Sequence, residues 1–103
     1  MRYVVIGTSG AGKSTFAERL AAATHCPYIE LDAHYWGQDW QAVQLEQFKR
    51  SVNDATQGER WVVDGNYSAV RDLIWPRATH VVWLNYGRLT VFGRVLWRTI
   101  AVV

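Results

Sequence analysis

Residues Gly7 to Thr15 read GTSGAGKST, and no other stretch restricts the fold of this chain as tightly. Gly7, Gly12, Lys13 and Ser14 satisfy the pattern G-x-x-x-x-G-K-[ST], which works where a strand runs through a loop into a helix. The flanks supply both. Arg2-Tyr3-Val4-Val5-Ile6 is a continuous rather than alternating apolar run, as expected of a central strand covered on both faces of a parallel sheet. Phe16, Ala17, Leu20, Ala21 and Ala23 follow at helical spacing, and Pro27 closes that segment. Ordinary composition would produce the pattern by accident in roughly one chain of this length in a few hundred.

The same strand-helix rhythm continues. Tyr28-Ile29-Glu30-Leu31 reads as a second strand ending at Asp32, followed by an aromatic, irregular segment from His34 to Gln41. Leu45, Phe48, Val52 and Ala55 keep helical spacing until Gly58. Trp61-Val62-Val63 is a third strand ending at Asp64, and Val70, Leu73 and Ile74 suggest a short helix that Pro76 terminates. His80 to Leu84 makes a fourth strand, and Leu89, Phe92, Val95, Leu96 and Ile100 line one side of a last helix. Alternation of this kind implies right-handed crossovers and an α/β fold on a parallel sheet. At 103 residues one domain is expected, spanning 1–103, with about two thirds of the unfolded chain's surface buried. Half the residues are hydrophobic and six are Trp, which excludes a disordered tail. Arg88, Arg94 and Arg98 interrupt the only apolar run long enough to suggest a membrane span. Cys26 stands alone and cannot form an internal disulfide; with no apolar leader, a reducing, cytoplasmic compartment is expected.

The chemistry of the glycine stretch follows from its residue types. Glycines permit backbone angles closed to other residues, so the N–H groups from Gly7 through Ser9, Gly10, Ala11 and Gly12 can turn inward around a phosphate. The side chains of Thr8, Ser9 and Ala11 are filler in this account. The helix N-terminus adds favourable partial charge. Lys13 can reach the β- and γ-phosphates, Ser14 can bind Mg²⁺ through its hydroxyl, and Thr15 can donate to a further phosphate oxygen. Asp32 and Asp64 both fall at predicted strand ends, on the side of the sheet where ligands bind in open α/β folds. Asp64, after three apolar residues, is expected to serve the metal; Asp32 is expected to serve the acceptor or the metal's water shell. Either could instead be an ordinary turn or helix cap.

The net charge is +2, but no acidic residue follows Asp72, whereas Arg77, Arg88, Arg94 and Arg98 do. Four arginines favour local phosphate contact over nucleic-acid binding. His34, Tyr35, Trp36 and Trp40 crowd the segment after Asp32, where their rings could stack a base or simply pack on one another. His25, Cys26 and His80 lack metal-ligand spacing and belong at helix ends or in the core. Arg77 carries no arguable role.

With the glycine loop, Asp32 and the run WVVDGNYS in view, the chain resembles the adenylate-kinase-like P-loop proteins of the "DNA topology modulation protein"-related group, themselves similar to nucleoside monophosphate kinases and shikimate kinase. The matching segments are IGTSGAGKST, IELDAHYWG, WVVDGNYS, RDLIWPRA and VVWL. The resemblance implies the three-layer P-loop NTPase fold with sheet order 2-3-1-4, ATP as donor, Mg²⁺ as cofactor and a small acceptor such as a nucleoside monophosphate. Asp64-Gly65 matches the Asp-Gly pair of those kinases, and Arg71 is the position that would contact the acceptor. Asn66 and Tyr67 replace the usual Phe-Pro-Arg; they would offer neutral hydrogen bonds to an acceptor, or form a turn with a packed ring. Such kinases continue into an arginine-bearing lid and a fifth strand. Here the apolar, uncapped ending Ile100 to Val103 reads as a truncation, so lid and fifth strand are expected to be missing. Arg94 and Arg98 would replace part of the lid's charge or form the polar face of a helix. The alternative function is a non-catalytic or truncated nucleotide-binding module, with nucleic-acid association third. A GTPase is disfavoured, because Asn85-Tyr86-Gly87-Arg88 lacks the Asn-Lys-x-Asp pattern.

Overall fold

The computed structural model describes residues 1–7, 12–37, 41–85 and 88–93. Four apolar runs form the parallel part of the sheet: β1 (Arg2–Gly7), β2 (Tyr28–Glu30), β3 (Trp61–Asp64) and β4 (His80–Asn85). Their order is β2-β3-β1-β4, as expected, with every pairing parallel. Because side chains alternate across a strand, each run feeds two cores. Val5, Val62 and Val82 pack on Ala17 and Ala21 of α1 (Lys13–Thr24). Val4, Val63 and Val81 face the other way, onto Phe48 and Val52 of α3 (Leu45–Ala55) and Val70 and Ile74 of α4 (Ser68–Ile74). The result is three layers, and it explains why these strands are continuously apolar. A short α2 (Leu31–Tyr35) lies between β2 and α3.

α1 ends by a reciprocal cap. His25 adopts the left-handed conformation at φ 56°, its N–H bonds to the carbonyl of Ala22 at 3.3 Å, and the N–H of Cys26 bonds to that of Ala21 at 2.9 Å. The histidine therefore sits at a helix end and the cysteine is buried. α4 runs into a 3-10 turn at Trp75–Arg77, which contains Pro76 as the terminator the sequence suggested.

Two expectations are corrected. β2 stops at Glu30, so Asp32 lies in the first turn of α2 and not at a strand end. The last helix expected from Leu89 and Phe92 does not form over the described residues. Arg88–Gly93 is instead β5, antiparallel to β4, with Val82 opposite Val91 and Trp83 opposite Thr90. A fifth strand thus borders the sheet where none was expected. The physical reason is that a short apolar run fits both periods, and Thr90, Val91 and Phe92 prefer the pleat. Only two residues separate β4 from β5, which is hairpin spacing. Arg94, Val95, Leu96, Arg98 and Ile100 lie outside the described residues.

Arg77 has a part that sequence reasoning did not find. Its guanidinium donates to Thr56 Oγ1 at 2.8 Å and Asn53 Oδ1 at 2.7 Å, and its carbonyl accepts from Arg2 Nη1 at 3.1 Å. The Thr56 carbonyl accepts from Trp61 Nε1 at 3.2 Å. These bonds join the end of α3, the 3-10 turn and the starts of β1 and β3, at the end of the sheet away from Gly7 and Asp64. No helix among the described residues is long and apolar enough to cross a membrane.

Candidate functional site

The site begins where β1 ends. Gly7 pairs in register with Leu84, and a Cβ at position 7 would lie 2.1 Å from the Leu84 carbonyl oxygen. Only glycine permits that approach. Gly12 then caps α1 in the left-handed conformation, φ 80°, and its carbonyl accepts from the Phe16 N–H at 3.0 Å. α1 has no side-chain cap and no acidic residue in its first turn. Among the described residues its leading N–H groups have no side-chain acceptor, a condition that suits an anion at the positive end of the helix dipole. Ser14 and Thr15 are exposed in this first turn, and neither hydroxyl has a hydrogen-bond partner among the described residues.

Lys13 and Asp64 meet directly. The ammonium forms an ion pair with Asp64 Oδ1; the lysine side chain is 24% exposed and the aspartate 1%. The second carboxylate oxygen, Oδ2, accepts from the Tyr28 hydroxyl at 2.7 Å. Burial, and then the hydrogen bond and charge of Asp64, push the Tyr28 phenol above the ordinary tyrosine range, so it stays a donor. Both oxygens of a buried carboxylate are thus satisfied, one from α1 and one from β2. Asp64 is the end of a fully buried strand, which is why its charge needs two partners.

A second group lies around Asp32. The Tyr67 hydroxyl donates to Asp32 Oδ1. The Tyr67 ring packs on Tyr35 with centroids 4.9 Å apart and on Phe48 at 5.3 Å, and Tyr35 meets Trp36 edge-on at 4.9 Å. Of the rings after Asp32, Tyr35 and Trp36 therefore pack on each other and His34 Nδ1 meets the Ser51 hydroxyl, with Trp40 outside the described residues. Burial, and then Asp32, push the Tyr67 phenol up to about 12. Arg71 is exposed; its Nε and Nη2 donate to Asn66 Oδ1 at 3.3 and 3.1 Å, and its guanidinium lies 5.5 Å from the Trp75 ring centroid.

Of the expected site residues, Lys13 and Asp64 are in contact, and Ser14 and Thr15 share the first turn of α1. Asp32 is bonded to Tyr67 and not to that pair, two residues beyond Glu30, the register partner of Asp64. Arg71 is tied to Asn66. Ser9, Gly10 and Ala11 lie outside the described residues. Tyr28 was missed by sequence reasoning. Its signal was the strand order: with β2 beside β3 and Glu30 opposite Asp64, a residue two before Glu30 shares the Asp64 face.

The Tyr67 contact has a measurable consequence. A phenol whose folded pKa exceeds its unfolded value adds stability that is complete below about pH 10 and lost as pH rises through the folded value. In a phenolate absorbance titration of the five tyrosines, Tyr67→Phe should remove a step near pH 12. An unchanged alkaline limb would contradict the Tyr67–Asp32 bond.

A mostly parallel sheet in the order 2-3-1-4, with an antiparallel strand beside β4 and the glycine stretch between β1 and α1, is similar in fold to solved P-loop kinases. Among solved structures, the chain is similar to shikimate kinase from Aquifex aeolicus vf5, with a TM-score of 0.57 and 20% identity over 81% of this chain and 62% of that one. It is similar to a gluconokinase from Sinorhizobium meliloti 1021, with a TM-score of 0.52 and 22% identity over 82% of this chain and 55% of that one. It is also similar to a sugar kinase from Janibacter sp. HTCC2649 in an unliganded structure, with a TM-score of 0.51 and 22% identity over 82% and 58%. The chain spans less than two thirds of each of these structures, and identities this low establish the fold alone. No family model matches the chain, and no curated protein matches it.

Proposed function

We propose that the chain binds ATP with Mg²⁺ through Gly7–Thr15 and transfers the γ-phosphoryl group to a small acceptor such as a nucleoside monophosphate. The observation that carries this reading is the Lys13 ammonium in the first turn of α1, after the Gly12 cap, paired with the buried carboxylate of Asp64. The residues suit the ligand. N–H groups without a partner among the described residues, two exposed hydroxyls and a lysine match a polyphosphate. Ser14 and Asp64 are hard oxygen donors, as Mg²⁺ requires. Bound there, Mg²⁺ would neutralise charge on the phosphates.

The chain's own part is positioning and charge. Lys13 exchanges its contact with Asp64 for a phosphate oxygen, and Ser14 and Thr15 hold phosphate and metal. Asp32 orients the acceptor's attacking oxygen, with Tyr67 fixing the carboxylate. Arg71, whose guanidinium is steadied by Asn66 and Trp75, has donors left for an anionic acceptor.

A second reading is a nucleotide-binding module without turnover: the likeness to solved kinases rests on 20 to 22% identity, which carries the fold and not the activity. The experiment separating them is incubation with Mg²⁺, ATP and a panel of nucleoside monophosphates and small alcohols. Phosphorylated product above a Lys13→Ala control supports transfer. ATP binding without product supports the module, and absence of ATP binding removes both.

A further inference from the structure

We propose that Tyr28 is a positioning residue for Asp64, setting the orientation in which that carboxylate meets the nucleotide's metal ion. The inference rests on the reading of Asp64 as the metal's carboxylate. It starts from the register. β2 and β3 are parallel, with Tyr28 opposite Val62 and Glu30 opposite Asp64, so Tyr28, Val62 and Asp64 all face α1. The Tyr28 ring is packed against the α1-side core, which limits where its hydroxyl can go, and that hydroxyl reaches Asp64 Oδ2 at 2.7 Å. The Asp64 side chain is 1% exposed, so bulk water cannot replace this donor.

Two donors from different elements hold the two oxygens, Lys13 on Oδ1 and Tyr28 on Oδ2. Only one of them can stay during the proposed function. Lys13 is the group a phosphate would draw away, after which Tyr28 is the remaining hold on the carboxylate. It keeps Oδ2 occupied and leaves Oδ1, the oxygen that Lys13 contacts, for the metal ion. Without the hydroxyl, a buried oxygen is left unpaired and the carboxylate is free to turn, or it stays committed to Lys13. Either outcome weakens its service to a metal. Partners that orient metal-serving side chains typically matter by 10- to 100-fold in metal affinity.

The test is calorimetry on the intact chain, titrating ATP with and without Mg²⁺, and reading the factor by which Mg²⁺ tightens binding. A merely structural role would weaken both titrations and leave the factor unchanged. Tyr28→Phe keeps the packed ring and is expected to reduce the factor by about tenfold. Replacement of Tyr28 by 4-aminophenylalanine, which restores a donor on the same ring, is expected to recover most of it. Asp64→Asn should abolish it. If Tyr28→Phe folds too poorly to titrate, 4-fluorophenylalanine at position 28 fills the same space without a donor and gives the same readout. A factor unchanged in the donor-less variant while Asp64→Asn loses it overturns the role of Tyr28 alone. A factor unchanged in Asp64→Asn overturns the metal reading of Asp64 and this inference with it.

Discussion

Lys13→Ala is expected to lower the proposed ATP-dependent phosphoryl transfer by about 10³-fold, the lower end of what loss of a stabilising arginine does in phosphoryl-transfer enzymes. The same substitution strands a carboxylate. Asp64 is 1% exposed and would keep only the Tyr28 hydroxyl. Removing one partner of a fully buried ion pair costs about 3–5 kcal/mol, and the 24% exposure of Lys13 reduces that to roughly 1–3 kcal/mol through solvent screening. A lost activity could therefore arise from either effect, and the double substitution separates them. Lys13→Ala with Asp64→Asn removes the unpaired charge, so its denaturant midpoint should recover towards that of the parent while transfer stays lost. Transfer in Lys13→Ala within tenfold of the parent would remove Lys13 from the chemistry.

Gly7→Ala is expected to destabilise the chain by about 3 kcal/mol or more, the upper range for forcing atoms into a packed interior. The added methyl would sit 2.1 Å from the Leu84 carbonyl oxygen, and neither strand can yield without breaking the β1–β4 ladder at the point where the glycine stretch begins. Gly12→Ala serves as the comparison. No described residue lies within 4 Å of a Cβ there, so the expected penalty is that of the left-handed backbone at φ 80°, about 1–2 kcal/mol. Urea unfolding of the two variants should rank Gly7→Ala below Gly12→Ala. The reverse order would mean that β1 and β4 are not this close.

The parallel sheet was legible because double-sided burial leaves continuous runs such as Val4-Val5 and Trp61-Val62-Val63, which few other arrangements produce. α1 and α3 were legible through their apolar spacing. Arg88–Gly93 was not, since six residues carry too few repeats to separate a helical period from an alternating one, and pairing with β4 decided the matter. The pairing of Lys13 with Asp64 follows from where the glycine pattern and the third strand end. Tyr28 and the Tyr67–Asp32 bond were hidden for a different reason. Each joins residues 36 and 35 positions apart, and each depends on a neighbour relation that exists only after β2 has taken its place beside β3. Arg77 was illegible likewise, because its partners, Asn53, Thr56 and Arg2, converge only in the folded chain.

The bonds around Thr56 and Arg77 give the two ends of this sheet different evolutionary freedom. At one end, a buried threonine, a tryptophan and two arginines are joined by hydrogen bonds, so a change at any of them must be matched elsewhere. At the other, Asp32, Asn66 and Arg71 are exposed, and the fold does not rest on their identity. Divergence can then accumulate on that side, the one proposed for the acceptor, one surface substitution at a time and without loss of the scaffold.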